Sequence, residues 1–136
     1  MRGFYYIKGY KKKEDLKTMK MILAVFRPEK LEKVNKALSE IGIVSLTVSS
    51  VQGRGMQKGI VQKWKDKEYS VDLLNKTELM TVVEDAKVDK TIDTIVEAAR
   101  TGQIGDGKIF VLPVENAIKI RTGEKDHNAL HGLNEV

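Results

Sequence analysis

The order of apolar segments along the chain is the feature that most narrows the folds open to it. Met21–Phe26 is a short, continuous apolar run, which predicts a buried strand. Pro28 follows at a position that suits the first turn of a helix. Four apolar residues then recur at spacings of three and four and share one helical face: Leu31, Val34, Leu38 and Ile41. Gly42 comes directly after them and is a natural end for that helix.

The second half of the chain continues the pattern of strands and helices. The β-branched segment 43–51 predicts a second strand, and segment 70–83 predicts a third with a polar interruption near its start. Asp85 is expected to cap a second helix that Gly102 ends. The buried face of that helix is predicted to hold Val88, Ile92, Ile95, Val96 and Ala99. Lys108–Val114 predicts a fourth strand.

This order predicts an α+β, ferredoxin-like βαββαβ sandwich. In that fold both helices cover one face of an antiparallel sheet. The other face is apolar here and must also be covered, which favours an oligomer. We therefore predict one domain over residues 19–130, with an extension over residues 1–18 and a polar tail over residues 131–136. The polar residues from Glu124 onward are expected to fray.

The formal net charge of +5 lies entirely at the N-terminus. The first 20 residues hold seven bases and two acids, whereas the rest of the chain holds 17 of each. A nucleic-acid-binding domain carries its basic face within the fold, so this distribution argues against nucleic acid. The extension lacks the apolar segment of a secretory signal. We expect it to be loosely ordered, or Met19 to be the natural start; the alternative is an arm that contacts a neighbouring subunit or an anionic surface.

Catalytic residue sets are missing from the sequence. There is no cysteine, which excludes disulfides, zinc–thiolate sites and thiol nucleophiles. No GxSxG nucleophile elbow occurs, and the two histidines, His127 and His131, lie near the C-terminus, where we expect them to be incidental. The acidic residues at 84–85 and at 89 and 93 are expected to be helix-start and solvated charges. We therefore predict a protein that is not an enzyme. No apolar run is long enough to span a bilayer, and the lack of cysteine fits a reducing compartment, so we expect a soluble, cytoplasmic protein that associates with a membrane only through a partner.

The glycine-rich turn Thr101–Phe110 is the strongest sign of a ligand site. Gly102, Gly107 and Lys108 match most of a Walker A phosphate loop, but Ile109 stands where the loop needs a magnesium-binding hydroxyl. The turn also runs from a helix into a strand, the reverse of a phosphate loop. Its backbone N–H groups and Lys108 can still hold an anion. A glycine turn without any ligand is the alternative.

Two further segments combine glycine with cations. Residues 53–59 have the sequence GRGMQKG, for which a hairpin connection is the alternative to a binding role. Lys119 and Arg121 alternate along an extended segment, so that both can hold phosphates from one side. A solvated edge is the alternative there.

Together these segments resemble the PII nitrogen-regulatory signal proteins. The resemblance rests on MKMILAVFRPEKL from Met19, GRGMQKG, TGQIGDGKIF from Thr101 and IKIRTGE, in the family's order and spacing, and it extends to about residue 130. It implies a trimer of ferredoxin-like subunits whose sheets face inward, with ATP or ADP in each cleft between subunits. The nucleotide-binding residues it implies are Thr47, Gly55, Met56, Gln57, Val82, Gly105, Asp106, Gly107, Lys108, Lys119 and Arg121.

The resemblance also implies that 2-oxoglutarate binds as an effector, through Mg²⁺, to the ATP phosphates. Gln57 would ligate the metal, and Lys76 would pair with an effector carboxylate; Gly59 and Gly105 are the other implied effector contacts. Magnesium suits this role because it takes phosphate and carboxylate oxygens as ligands. Met56 and Lys119 stand where arginine is common in the family, which removes one cation and one bidentate contact.

The segment from Gly55 to Leu73 corresponds to the family's long T-loop. Effector binding at its base is implied to bias the loop between conformers that reach a target or fail to reach it. In many relatives the target is an ammonium transporter whose pore the loop plugs with a basic residue, for which Lys63, Lys65 and Lys67 are available here. Tyr69 matches the place of a covalent modification in relatives, but its neighbours differ and we do not expect uridylylation.

Three other functions stay open from the sequence. Some members of the family regulate nitrogenase through an altered T-loop, although the full-length loop here favours a transporter. A nucleotide hydrolase would use the turn 102–108. A small-metal or anion-binding module would share the fold without binding nucleotide.

Overall fold

Strands and helices follow one another in the predicted order in the computed structural model, which describes residues 18–55, 60–64, 67–71 and 73–131. The strands are β1 (Met19–Phe26), β2 (Thr47–Gly53), β3 (Ile60–Trp64), β4 (Lys67–Val71), β5 (Leu74–Glu84) and β6 (Gly107–Val114). The helices are α1 (Leu31–Glu40), α2 (Asp85–Ala99) and α3 (His127–His131). A short 3-10 turn over Pro28–Lys30 leads into α1.

Four strands form one antiparallel sheet in the order β2-β5-β1-β6. This confirms the ferredoxin-like βαββαβ arrangement. The two central strands, β1 and β5, alternate buried and half-buried residues, as expected when one face of the sheet is covered. The covered face packs against α1 and α2, where the core holds Ile22, Ala24, Phe26, Val34, Leu38, Leu79 and Ile95.

The second strand begins later than predicted. The sequence places its start at Ile43, but the Ile43 N–H donates to Leu38 O at 2.9 Å and the Gly42 N–H donates to Ser39 O at 3.0 Å. These two bonds form a Schellman motif, in which the glycine takes a positive φ, here 86°, and the next apolar residue packs back on the helix. Ile43 is buried in that role, and β2 starts only at Thr47.

The predicted third strand is two strands. β4 pairs with β3 to form a separate two-stranded hairpin between β2 and β5, and β5 then runs without a break through the polar residues 75–78. Those residues do not interrupt the strand because Thr77 points to the core while Lys76 and Glu78 lie on the other face.

The second helix differs from the prediction at both ends. It starts at Asp85, but Glu84 is the cap residue, and the Asp85 carboxylate instead accepts bonds from the Thr18 hydroxyl and from Lys20 Nζ, the latter at 2.8 Å. Asp85 therefore ties the start of α2 to the start of β1 and is not a cap. The helix ends at Ala99, and Gly102 lies in the following turn with a φ of 88°.

The chain from Glu124 to His131 is folded, contrary to the expected fraying, and the remainder of the predicted polar tail lies outside the described residues. Ile118 and Lys125 form an isolated antiparallel bridge, and Lys119 N–H donates to Glu124 O at 2.8 Å. α3 follows, and His127 Nδ1 lies 2.5 Å from the Glu84 carboxylate at the end of β5. His127 is thus a contact that holds this segment against the sheet.

The uncovered face of the sheet is apolar. Strand pairing aligns Met80, Leu23 and Phe110 in one row, and Val82, Met21 and Leu112 in the next. Phe110 and Leu112 are 49% and 42% exposed. Within the described ranges, no helix combines the length and apolar character that a bilayer crossing requires.

Candidate functional site

The turn between α2 and β6 depends on three glycines with positive φ. Gly102, Gly105 and Gly107 have φ values of 88°, 106° and 106°, a region that other residues rarely adopt. Gly107 also pairs with Phe26 at the end of β1, and this pairing holds the C-terminal end of the turn against the sheet.

Asp106 organises this turn. One of its carboxylate oxygens accepts the N–H groups of Thr101 and Gly102, both at 2.8 Å, and the other accepts the Thr101 hydroxyl at 2.5 Å and Arg27 Nε at 3.1 Å. The Thr101 hydroxyl is the largest of the causes that hold the pKa of Asp106 far below its usual range; the backbone N–H groups and Arg27 lower it further, against the opposing effect of desolvation. The sequence predicted Asp106 as a nucleotide contact, and the structure commits its carboxylate to shaping the turn.

Arg27 is a site residue that the sequence did not single out. Besides Asp106, its guanidinium donates from Nη2 to Ile104 O at 2.8 Å. Arg27 and Ile104 are 77 residues apart in sequence, and the pairing of β1 with β6, which ends at Phe26 and Gly107, brings them together. A basic residue just after a predicted strand was the available signal, and it becomes informative only once the partner strand is known.

Lys76 lies on β5 next to the same turn. Its Nζ donates to Gly105 O at 2.8 Å. Burial is the main cause that lowers its pKa, and the nearby Arg27 charge lowers it further. The structure thus brings together two residues predicted as effector contacts, Lys76 and Gly105.

One end of the sheet collects these groups, and we call it the loop end. It is where β1 and β2 finish and where β5 and β6 begin, since Phe26 pairs with Gly107 and Gly53 pairs with Leu74. Lys108, the second residue of β6, is exposed beside Val25, and Gly55 follows β2 with open space around it. Gly55, Lys76 and the turn to Lys108 therefore lie at one end of the molecule.

The other predicted nucleotide contacts lie toward the opposite end. Thr47 starts β2, Val82 pairs with Met21 near the start of β1, and Lys119 and Arg121 follow the end of β6. Six strand steps separate Thr47 from Gly53, a distance of about 20 Å. One chain therefore presents two separate groups of the predicted contacts.

Four of the predicted site residues have limited description. Met56, Gln57 and Gly59 lie outside the described residues, and with them the predicted magnesium ligand. Tyr69 lies in β4, where it pairs with Gln62. Among the described residues no group of three or more acidic or histidine side chains is arranged to hold a metal ion.

The pKa of Asp106 leads to a test of its role in the turn. Because its folded pKa lies below its unfolded value near 3.9, its ionised form stabilises the fold above about pH 4, and this stabilisation is lost as the pH falls toward the folded pKa. We expect Asp106→Asn to be less stable than the wild type by a constant amount from pH 7 to about pH 4.5, and by a shrinking amount at lower pH.

Urea unfolding at a series of pH values measures this difference. Glu32→Gln is the matched control, because Glu32 is exposed on α1 and has no hydrogen bond within the described part of the chain. A gap between wild type and Asp106→Asn that stays constant down to pH 3 would contradict the assignment.

Known proteins match this chain over most of its length. The family model for "Nitrogen regulatory protein P-II" matches residues 19–124. A protein of that name from Microchaete diplosiphon is 51% identical over 112 residues, which are 82% of this chain and all of the relative. Its namesake from Synechocystis sp. is 49% identical with the same coverage.

A solved structure of a related protein has the same fold. The crystal structure of Arabidopsis thaliana PII bound to citrate superimposes with a TM-score of 0.68 at 41% identity, and the match covers 82% of this chain and 92% of that one. The fold, the turn after α2 and these similarities lead to one conclusion: the chain belongs to the P-II family of nitrogen regulatory proteins.

Proposed function

We propose that this chain is a homotrimeric nitrogen-status sensor that binds ATP or ADP between subunits, reads 2-oxoglutarate, and regulates an ammonium transporter through the loop from Gly55 to Leu73. The observation that carries the proposal is the separation of the predicted nucleotide contacts into two groups about 20 Å apart along one sheet. A nucleotide can touch both groups only if each is supplied by a different copy of the chain.

The open apolar face supports the trimer. Phe110 and Leu112 are large apolar residues with nearly half of their surface exposed, and Leu23, Met21, Met80 and Val82 flank them. Burying such a face between copies is a common way to stabilise an oligomer. In that assembly, the turn and Lys108 of one copy would face Lys119 and Arg121 of the next.

Lys76 and Arg27 support a site for an anionic effector at the loop end. Both donate to carbonyl oxygens of the turn, and a bound carboxylate would offer a stronger, charge-assisted acceptor. The related Arabidopsis protein was crystallised with citrate, another small polycarboxylate. Mg²⁺ held by Gln57 would join the effector to the ATP phosphates.

The position of the hairpin supports its proposed role as the output. The β3–β4 pair lies in the segment that connects β2 to β5 at the loop end, next to the proposed effector contacts. We propose that effector binding selects a conformer of this segment, which then engages a cytoplasmic face of the transporter. If a pull-down recovered only nitrogenase components, the result would favour nitrogenase as the target and contradict the transporter.

Calorimetry with Mg-ATP, in the presence and absence of 2-oxoglutarate, tests the coupling. We expect 2-oxoglutarate to raise ATP affinity by about 5- to 150-fold, and ATP to raise 2-oxoglutarate affinity by the same factor, because coupling between two sites is reciprocal. Gln57→Ala should weaken 2-oxoglutarate binding far more than ATP binding, while Gln52→Ala, an exposed glutamine on β2, should change neither.

Two results would contradict this mechanism. An ATP affinity that does not respond to 2-oxoglutarate would exclude a coupled sensor. Equal losses of the two affinities in Gln57→Ala would exclude Gln57 as the metal ligand that joins them.

A further inference from the structure

A concave cleft lies on the helix side of the sheet, between α2 and the paired strands β1 and β6. It has a volume of about 260 Å³, and its apolar lining includes Ile92, Val96 and Ile109. Residues 106–108 of the glycine turn also line it, so the cleft adjoins the site described above. This volume is below the roughly 300–1,000 Å³ of sites that bind small molecules. The size and the apolar lining suit one or two side chains of a peptide segment.

A row of acidic residues borders this cleft. Asp85, Asp89, Asp93 and Glu97 follow one another at intervals of four along α2, and all four are exposed. The cleft residues Ile92, Val96 and Arg100 each follow one of these acids by three positions, so the row and the cleft are neighbours on the helix surface. Within the described residues, the last three acids of the row take part in no salt bridge or hydrogen bond.

The chain enters the described structure at the first acid of this row. Thr18 O accepts the Asp85 N–H at 3.0 Å, and the Thr18 hydroxyl donates to the Asp85 carboxylate. Whatever precedes Thr18 therefore departs from the N-terminal end of α2. The family match begins only at residue 19, so family membership explains nothing of residues 1–17.

The composition of residues 1–17 complements both surfaces. Residues 4–7 are Phe-Tyr-Tyr-Ile, and residues 8–17 hold five lysines and only two acids, so this second part carries a net positive charge. The lysines are Lys8, Lys11, Lys12, Lys13 and Lys17, and the acids are Glu14 and Asp15. Ten extended residues reach about 33 Å, whereas the 15 residues of α2 measure about 22 Å. The lysine segment is thus long enough to carry residues 4–7 along the whole of α2.

We propose that the segment 4–7 fills the cleft between α2 and β6 of the same chain with two of its side chains, with the lysine segment beside the acidic row. The apolar and aromatic side chains supply the burial, since Phe and Tyr each bring a large apolar area. The opposite charges set the direction of the segment along the helix. The extension is then an intramolecular clamp on the helix that precedes the glycine turn.

Disulfide trapping tests this arrangement in the full chain, because the protein has no cysteine of its own. The test pair is Lys8→Cys with Arg100→Cys, which the proposal places close together. The control pair is Lys8→Cys with Lys36→Cys, an exposed position on α1. Under mild oxidation we expect the test pair to close within one chain at least about tenfold faster than the control, above the baseline that a flexible tether provides.

A charge-reversed variant separates docking from simple tethering. Asp89→Lys, Asp93→Lys and Glu97→Lys together should remove the rate advantage of the test pair, and Glu32→Lys with Glu40→Lys on α1 should leave it intact. Raising the salt concentration from 0.1 to 1 M shortens the screening length from about 10 to about 3 Å and should also slow closure of the test pair.

Three outcomes would overturn the proposal. Equal closure rates for the two pairs would indicate a free tether, and a disulfide that joins two chains would assign the segment to a neighbouring copy. If the charge-reversed variant kept the native circular dichroism spectrum and the full rate advantage of the test pair, the acidic row would not contribute to docking.

Discussion

Replacing Gly107 with alanine is expected to destabilise the fold far more than the same replacement at Gly102 or Gly55. A Cβ at position 107 would lie 1.8 Å from Val25 O and 2.9 Å from Phe26 Cα, both backbone atoms of the central strand. Gly107 also has a φ of 106°, which strains any side chain. Neither the clash nor the strain can be relieved without moving β6 away from β1, so we expect a loss of more than about 4 kcal/mol.

The other two glycines provide graded controls for urea or thermal unfolding. Gly102 has a positive φ but no atom within 4 Å of a Cβ, so Gly102→Ala should cost about 1–2 kcal/mol from backbone strain alone. Gly55 has neither feature, and Gly55→Ala should stay within about 0.5 kcal/mol of the wild type. If Gly107→Ala were as stable as Gly102→Ala, this result would contradict the close contact between Gly107 of β6 and the backbone of β1.

Lys108→Ala is expected to have the largest effect on ligand binding. Lys108 is exposed at the loop end, beside the turn that Asp106 and Arg27 hold in place, and the proposed function assigns it to the ATP phosphates. A hydrogen bond to a charged group contributes about 1.5–3 kcal/mol, so the substitution should weaken Mg-ATP binding by roughly 10- to 150-fold. Stability should change little, because the side chain is exposed.

Calorimetry on Lys108→Ala and on Lys36→Ala, an exposed lysine of α1, separates the site from a general effect of charge. If Lys108→Ala bound Mg-ATP as tightly as the wild type, Lys108 would not be part of the phosphate site. The same proteins test for ATP hydrolysis. If the wild type turned over ATP well above the rate in buffer, and if Lys108→Ala abolished this turnover, the chain would be a hydrolase. That result would contradict the expectation that it is not an enzyme.

Local sequence patterns predict most of the elements, because those patterns are set by neighbours within a few residues. The apolar spacing that ends at Gly42 identifies α1, and the run Met21–Phe26 identifies β1. The glycines near Lys108 identify the turn because their φ values exclude most other residues.

The errors have two physical origins: a partner distant in sequence, or a local bond that replaces the expected one. Ile43 has the character of a strand residue but closes a helix. Asp85 has the character of a cap, but its carboxylate binds Thr18 and Lys20 at the start of β1. Arg27 is a basic residue just after a predicted strand, but its role depends on Asp106, which is 79 residues away in sequence. The same reason applies to the role of His127, since Glu84 is 43 residues distant.

The central position of β1 in the sheet has a consequence for synthesis of the chain. Ile22 pairs with Thr81 and Val111, so this first strand waits for partners about 60 and 90 residues further along. At roughly 5–20 residues per second, that interval lasts about 3–18 s on the ribosome. Until then the apolar strand lacks its partners in the native sheet, and two charges within and just after it, Lys20 and Arg27, oppose aggregation. The bases that later hold the turn and α2 in place thus protect the nascent chain first.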